Sequence, residues 1–71
     1  QVEGAYVGRV KRGSPAEKAG LKAGDVIIEL SGQPVRNAAA LERIVMGLRP
    51  GDQVAIIYLR DGRRLQTKLS V

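Results

Sequence analysis

The chain has 71 residues and a net charge of +5, from 12 Lys and Arg against 7 Asp and Glu, and it contains neither cysteine nor histidine. This length predicts one domain, and the missing residue types exclude disulfides and metal sites built from thiolate or imidazole ligands. No stretch approaches the roughly 20 consecutive apolar residues that a membrane-spanning helix needs.

The basic residues are spread along the sequence rather than concentrated in one block. An ordinary solvated surface explains this distribution, and a surface for nucleic acid or anionic lipid is the alternative. The only aromatic residues are Tyr6 and Tyr58, too few for a platform on which bases stack. We therefore expect no nucleic-acid partner, whereas acidic or carboxylate-bearing partners fit the charge better.

The first predicted elements are a strand over residues 4–10 and a short helix over residues 15–19. The start of the helix is well marked. Ser14 is a typical N-cap, Pro15 suits the first helical position, and Glu17 lies where a capping box needs its carboxylate. A helix of barely two turns does not persist alone, so we expect it to be pinned against the rest of the domain.

A central strand is predicted next, over residues 26–30. Val26, Ile28 and Leu30 alternate on one face of this strand, and Ile27 lies on the other. Apolar residues on both faces indicate a strand that is covered on both sides. Ser31-Gly32 is expected to turn the chain, and Gln33-Pro34-Val35 to lead out of this turn.

The second helix is predicted from Asn37 or Ala38 to Leu48, with Asn37 as N-cap, because Pro50 disfavours helical backbone before it. Its apolar residues cover two adjacent faces. The first face is expected to pack on the sheet and comprises Leu41, Val45 and Leu48. The second face comprises Ala40, Ile44 and Gly47. This pattern fits a deeply buried helix as well as a helix whose second face lines a groove.

The last third of the chain predicts a hairpin with strands over residues 52–60 and 64–71, joined by the strong turn signal Asp61-Gly62. One face of the first strand carries Val54, Ile56 and Tyr58. In the second strand, polar residues alternate with Leu65, Thr67, Leu69 and Val71. Together the elements predict an α+β fold, a small, mostly antiparallel four-stranded sheet that forms a partial β-barrel capped by the two helices.

One long motif adds a family resemblance to this outline. From Gly13 the chain reads GSPAEKAGLKAGDVI, and Ser31-Gly32-Gln33-Pro34-Val35 follows shortly after. This pattern resembles a PDZ domain, in particular the circularly permuted bacterial type of HtrA-like serine proteases. The resemblance covers nearly the whole chain, so residues 1–71 are expected to form one PDZ domain. It implies a periplasmic or cell-envelope location.

The resemblance also implies peptide recognition. PDZ domains bind the C-terminal tail of a partner by adding an extended peptide to a sheet edge beside a helix. It places the ligand contacts on the second helix, at Ala40, Ile44, Gly47 and Leu48. Because Ala40 has no hydrogen-bonding side chain, aliphatic C-termini or extended apolar peptides of unfolded proteins are the expected ligands. A neighbouring protease domain or subunit is the other expected partner, and no cofactor, metal or integral membrane segment is expected.

The chain departs from the family pattern before Gly4. There the family has its ligand-binding strand and carboxylate loop, whereas only Gln1, Val2 and Glu3 precede Gly4 here. We therefore expect the domain to lack that strand, through truncation, through divergence, or because another chain or domain supplies the edge. Two hypotheses follow: a peptide-binding module of an envelope serine protease, or a non-catalytic docking or oligomerisation domain without a free-peptide groove.

Catalysis by this chain is not expected. A hydroxyl nucleophile needs a base within reach, and there is no histidine. The carboxylates form no obvious pair, and Asp25, Asp52 and Asp61 lie beside glycines at turns, where Asp is common. The catalytic residues of a protease are expected outside the 71 residues. Within the chain, Ile44→Arg is expected to abolish peptide binding with little loss of stability, and Leu41→Ala to destabilise the fold by about 2–5 kcal/mol.

Overall fold

The computed structural model describes residues 3–70, which form five strands and two helices. In chain order these are β1 (Ala5–Tyr6), α1 (Pro15–Lys18), β2 (Val26–Leu30), β3 (Gln33–Pro34), α2 (Ala38–Met46), β4 (Gln53–Arg60) and β5 (Arg63–Ser70). The strands form one open antiparallel sheet in the order β1-β2-β4-β5, with β3 paired to β2. The predicted α+β class is confirmed. No helix within residues 3–70 is long and apolar enough to cross a membrane.

Helix α1 begins as predicted and ends one residue earlier. The Ser14 hydroxyl accepts the N–H of Glu17 at 3.3 Å. The Glu17 carboxylate accepts the N–H of Gly13 at 2.9 Å, one residue before the position that a capping box predicts. At the other end, Thr67 of β5 donates its hydroxyl proton to the carbonyl of Ala19, with 2.7 Å between the oxygens. This bond pins α1 to the β5 edge of the sheet.

The β4–β5 hairpin stays in register over its whole length, from the pair Gln53 and Ser70 to the pair Arg60 and Arg63. Positive φ angles at both Asp61 and Gly62 match the type I′ turn that this dipeptide predicts. Val54, Ile56 and Tyr58, which are predicted to share one face of β4, are all buried. The buried core comprises Ala5, Leu21, Ile27, Leu30, Val35, Val54, Ile56 and Tyr58.

The predicted alternation within β2 is wrong. Ile27 and Leu30 are buried, whereas Val26 and Ile28 are only half-buried. The pairing between β2 and β4 shifts register between Ile27 and Glu29, as a β-bulge does. The extra residue of the bulge allows Ile27 and Leu30, three positions apart, to face the core together.

Several element boundaries also differ from the predictions. The first strand is confined to β1, because beyond it the chain bonds to the turn before β2 rather than continuing the ladder. Gln33–Pro34, which follows the predicted turn, pairs with β2 as β3, a strand that was not predicted, and the N–H of Val35 donates to the carbonyl of Ile28 at 2.9 Å. Helix α2 ends at Met46, two residues before the predicted end. The predicted strand position Val71 lies outside the described residues.

Gly4, just before β1, lies where a side chain has no room. A Cβ at this position would be 2.6 Å from Val26 Cγ1 and 2.7 Å from the backbone oxygen of Ile27. The carbonyl of β2 cannot move away without disturbing its pairing with β1. We therefore expect Gly4→Ala to lower the free energy of unfolding by about 1–3 kcal/mol through overpacking, measured by urea titration.

The matched control for this prediction is Gly8→Ala. A Cβ at Gly8 would meet only the ring of Tyr6, at 4.0 Å. Its effect should therefore stay within about 0.5 kcal/mol, as for most surface substitutions. Equal losses of unfolding free energy in the two variants would show that the close approach of β2 to Gly4 does not restrict the side chain at this position.

Candidate functional site

The sheet ends at β1, which pairs with β2 on one side. No strand within residues 3–70 pairs with its other side, so this edge is open to an added strand. At the end of β1, the N–H of Val7 donates to the carbonyl of Asp25, and the N–H of Gly24 donates to the carbonyl of Val7, each at 2.8 Å. Because backbone groups alternate in direction along a strand, those of Tyr6 point to the open side.

Helix α2 packs against β1, the strand with the open edge. Asn37 caps the helix as predicted, because its side-chain oxygen accepts the N–H of Ala40 at 2.8 Å. Leu41, Ile44 and Leu48 are half-buried and pack against the core. The open edge of β1 and the side of α2 that faces it are called the edge groove below.

The four residues predicted to contact a ligand follow one another along α2. Ala40 is half-buried in its first turn, and Ile44 lies one turn later. Leu48 follows the helix and continues the same side, at four-residue spacing. Gly47 caps the helix end and is exposed, with φ −84°, a conformation that any residue adopts. The structure thus places Ala40, Ile44 and Leu48 in one row, and their contact with a ligand stays a prediction.

The predicted division of α2 into a core face and a groove face is wrong in part. Val45, assigned to the core face, is 42% exposed, and Ile44 takes its place against the core. The physical reason is that α2 packs at the β1 edge rather than flat on the sheet, which turns the helix about its axis. Ile44→Arg should therefore reduce stability as well as binding.

A buried ion pair fixes the turn that holds the end of β1. The carboxylate of Asp25, which is 1% exposed, accepts two hydrogen bonds from the Arg60 guanidinium and one from the N–H of Lys22, all at 2.8 Å. Arg60 also donates to the carbonyl of Gly20 at 2.9 Å and lies 5.3 Å from the ring centroid of Tyr58. The hydrogen bonds from Arg60 hold the pKa of Asp25 below its ordinary value, against the opposing effect of burial.

The sequence-based predictions missed this ion pair. Asp25 was interpreted as an ordinary turn residue beside a glycine, and Arg60 only as the end of a strand. The two residues are 35 positions apart. An aspartate directly before a core strand is a usable signal of a buried carboxylate that needs a partner. Selecting that partner among the 12 basic residues requires the register between β2 and β4.

The three serines lie at a helix cap, in a strand and in a turn. Ser14 caps α1, Ser70 accepts a hydrogen bond from the Gln53 amide at 3.3 Å, and Ser31 lies in a turn with φ 53°. Within residues 3–70, no three acidic side chains come together as a set of metal ligands. What the described arrangement offers chemically is an open strand edge beside an apolar helix, which is suited to binding an extended chain.

Comparison with known proteins gives the same picture. A family model described as PDZ domain matches residues 1–71. The probable periplasmic serine endoprotease DegP-like of Ectopseudomonas mendocina is 41% identical over 68 residues, which are 96% of this chain and 14% of that protein. The periplasmic serine endoprotease DegP of Escherichia coli is also 41% identical over 68 residues, with the same coverage. The chain therefore spans about 14% of the length of these relatives.

Solved structures share the fold. The structure titled HtrA-type protease AlgW with decapeptide superposes with a TM-score of 0.84 at 30% identity, covering 89% of this chain and 19% of that one. The PDZ domain of the SdrC-like protein from Listeria monocytogenes superposes with a TM-score of 0.85 at 28% identity, covering 99% of this chain and 73% of that one. With a family match over its whole length and this fold, the chain belongs to the PDZ domain family.

Proposed function

We propose that this chain is the peptide-recognition module of an HtrA-like serine protease in the bacterial periplasm. Support for the setting comes from the relatives that are named periplasmic serine endoproteases. Support for a peptide ligand comes from the decapeptide in the AlgW structure. In this proposal the 71 residues bind substrates or regulatory peptides, and cleavage belongs to residues outside them.

One observation carries the proposal: β1 has an open side, and α2, the helix that leads from Ala40 through Ile44 to Leu48, packs against β1. A peptide extended along this groove would gain main-chain hydrogen bonds from the sheet, and its alternate side chains would meet α2. The peptide pairs either with β1 directly or with a further strand that itself pairs with β1, as the family pattern before Gly4 implies.

The proposed ligands are protein C-termini that end in an aliphatic residue, and extended apolar segments of unfolded proteins. The side chain of Ala40 offers only a methyl group, which favours an apolar ligand residue over a hydroxylated one. The net charge of +5 favours a ligand that carries a free carboxylate.

A second candidate function is docking to a neighbouring protease domain or subunit. It is favoured by two large apolar side chains on the elements that form the groove, Tyr6 on β1 and Met46 on α2, which are 69% and 85% exposed. Exposed apolar groups at an open strand edge are typical of protein contacts. A chain that binds no free peptide but associates with itself or with a protease domain would favour this function.

The matched pair Ala40→Lys and Ala39→Lys tests the peptide site. The two alanines are neighbours in α2, but Ala40 is half-buried and Ala39 is exposed. A lysine at Ala40 fills the groove, so we expect the Kd for a peptide ending in a free valine to rise about tenfold or more, since overpacking costs typically 1–3 kcal/mol. Ala39→Lys adds the same charge outside the groove and should leave the Kd within about twofold.

Binding is measured by fluorescence anisotropy with a labelled peptide. Urea titration of both variants establishes that each remains folded under the assay conditions. Equal Kd values for the two variants would remove α2 from the binding site.

A further inference from the structure

A second concave surface lies beside α1, away from the edge groove. It is a pocket of about 360 Å³ lined by Val10, Glu17, Gly20, Leu21, Lys22 and Ala23. None of these residues belongs to β1 or α2. Its apolar part is fixed in place, because Leu21 is buried in the core and Val10 is half-buried against it. The pocket therefore offers a rigid apolar depression on the surface.

The chain segment that forms this pocket carries most of the net charge of the domain. Residues 9–23, which are the lining segment and the one residue before it, contain one carboxylate, Glu17, and five cations, so they hold +4 of the total of +5. The five cations are Arg9, Lys11, Arg12, Lys18 and Lys22, and all are exposed. Cations occur along the whole sequence, whereas the acidic residues other than Glu17 all lie outside this segment.

None of these five cations belongs to an ion pair found in the described part of the chain. The ion pairs found within residues 3–70 are those of Arg60 with Asp25 and of Arg64 with Glu29. The carboxylate of Glu17 accepts a backbone N–H, that of Gly13. The lining contains one cation, Lys22, and one carboxylate, Glu17, and the other four cations are close to the lining residues in sequence. An apolar depression in a chain segment with excess positive charge complements a ligand that is both acidic and apolar.

We infer that this basic pocket, meaning the six lining residues and the five cations, docks an acidic segment of a partner protein. One apolar side chain of that segment enters the depression, and the flanking carboxylates face the cations. The inference goes beyond the proposed peptide function, because it uses a different surface and needs no free C-terminus.

The shape of the pocket favours a protein segment over a membrane. Binding to an anionic bilayer through apolar insertion needs apolar side chains that project outward next to the basic residues. The large exposed apolar side chains Tyr6, Val45 and Met46 belong to β1 and α2 instead. A concave apolar surface instead accepts a side chain from the partner, as the central contacts of protein interfaces do.

The test is an NMR titration of the 71-residue chain with the blocked peptide acetyl-Glu-Glu-Asp-Leu-Glu-Asp-Glu-amide. Because this peptide has no free C-terminal carboxylate, it is a poor ligand for the edge groove. We expect amide shifts at Val10 and at residues 20–23, weakened by salt because the cations are exposed. A twin with serine in place of leucine should bind more weakly, since it lacks the apolar side chain.

Two charge-reversed variants test whether the acidic peptide binds at the basic pocket. The variant Lys11→Glu/Arg12→Glu/Lys22→Glu should raise the Kd about tenfold, since each exposed charge contact contributes a fraction of a kcal/mol. The control Arg36→Glu/Arg49→Glu/Lys68→Glu carries the same net charge with the basic pocket intact, and should change the Kd by about twofold at most. Urea titration checks that both remain folded.

Three results would overturn the inference. The first is a folded spectrum with no shifts at the pocket. The second is an equal loss of affinity in both charge-reversed variants, which would mean that only the net charge matters. The third is binding to phosphatidylglycerol vesicles, abolished by the pocket variant, in a chain that does not bind the acidic peptide.

Discussion

Replacing Leu30 by alanine is expected to lower the free energy of unfolding by about 3–5 kcal/mol, the upper part of the range for buried leucines. Leu30 is 1% exposed and lies in β2, where it is the residue opposite Gln33 of β3 and Ile56 of β4. Its removal leaves a cavity at the point where three strands meet, and the paired backbones on both sides prevent the site from collapsing.

The loss would be large relative to the whole stability of the domain. Small domains bury only about 60% of the surface of their unfolded chain, and proteins are typically stable by about 5–15 kcal/mol. Leu30→Ala should therefore unfold much of the population at moderate urea concentrations, as followed by circular dichroism. Met46→Ala is the control, because Met46 is 85% exposed. A loss below about 1 kcal/mol for Leu30→Ala would contradict the assignment of the core.

Replacing Asp25 by asparagine is expected to destabilise the domain by about 1–3 kcal/mol at neutral pH, because it leaves the half-buried Arg60 guanidinium without its charged partner. The change is nearly isosteric, so packing is preserved and the loss reports the charge. Since the carbonyl of Asp25 and the neighbouring Gly24 hold Val7, the end of β1 should also loosen. Hydrogen exchange at the Val7 amide measures this loosening directly.

The stability that the Asp25–Arg60 ion pair contributes depends on pH through the pKa of Asp25. The pKa of Asp25 in the folded chain lies below its ordinary value of 3.8. The ion pair therefore contributes its full stability above about pH 4 and loses it as the pH falls through the pKa of the folded state. The difference in stability between the wild type and Asp25→Asn should be constant near neutrality and shrink in acid.

A matched control separates the ion pair from the turn. Asp52 accepts the N–H of Arg49 at 2.9 Å, just as Asp25 accepts that of Lys22, but Asp52 is exposed. Asp52→Asn should cost about 1 kcal/mol or less, as exposed capping interactions do. Similar losses from the two variants would mean that Asp25 acts only as a turn residue.

Local sequence signals predicted the elements of this fold well. The Ser14-Pro15 start of α1, the Asn37 cap of α2 and the Asp61-Gly62 turn each depend on hydrogen bonds or φ angles within a few residues. Such short-range chemistry can be read directly from the sequence. That Val54, Ile56 and Tyr58 share one face of β4 was predictable for the same reason, because side chains alternate between the two faces of a regular strand.

The features that the sequence did not predict depend on contacts between distant residues. The bulge in β2 is visible only in its pairing with β4, and the Asp25–Arg60 pair requires the same register. The orientation of α2 depends on the β1 edge against which it packs, so Ile44 rather than Val45 packs against the core. The candidate ligand contacts came from the family resemblance, since the helix pattern fitted a buried helix equally well.

The most direct test of the account is an NMR titration of the 71-residue chain with a short peptide that ends in a free valine carboxylate, compared with its C-terminally amidated twin. The account predicts shifts at the amides of residues 5–7 and 38–48 with the free acid, and their loss with the amide. A folded spectrum that neither peptide changes, or shifts confined to other parts of the chain, would contradict peptide recognition at the edge groove.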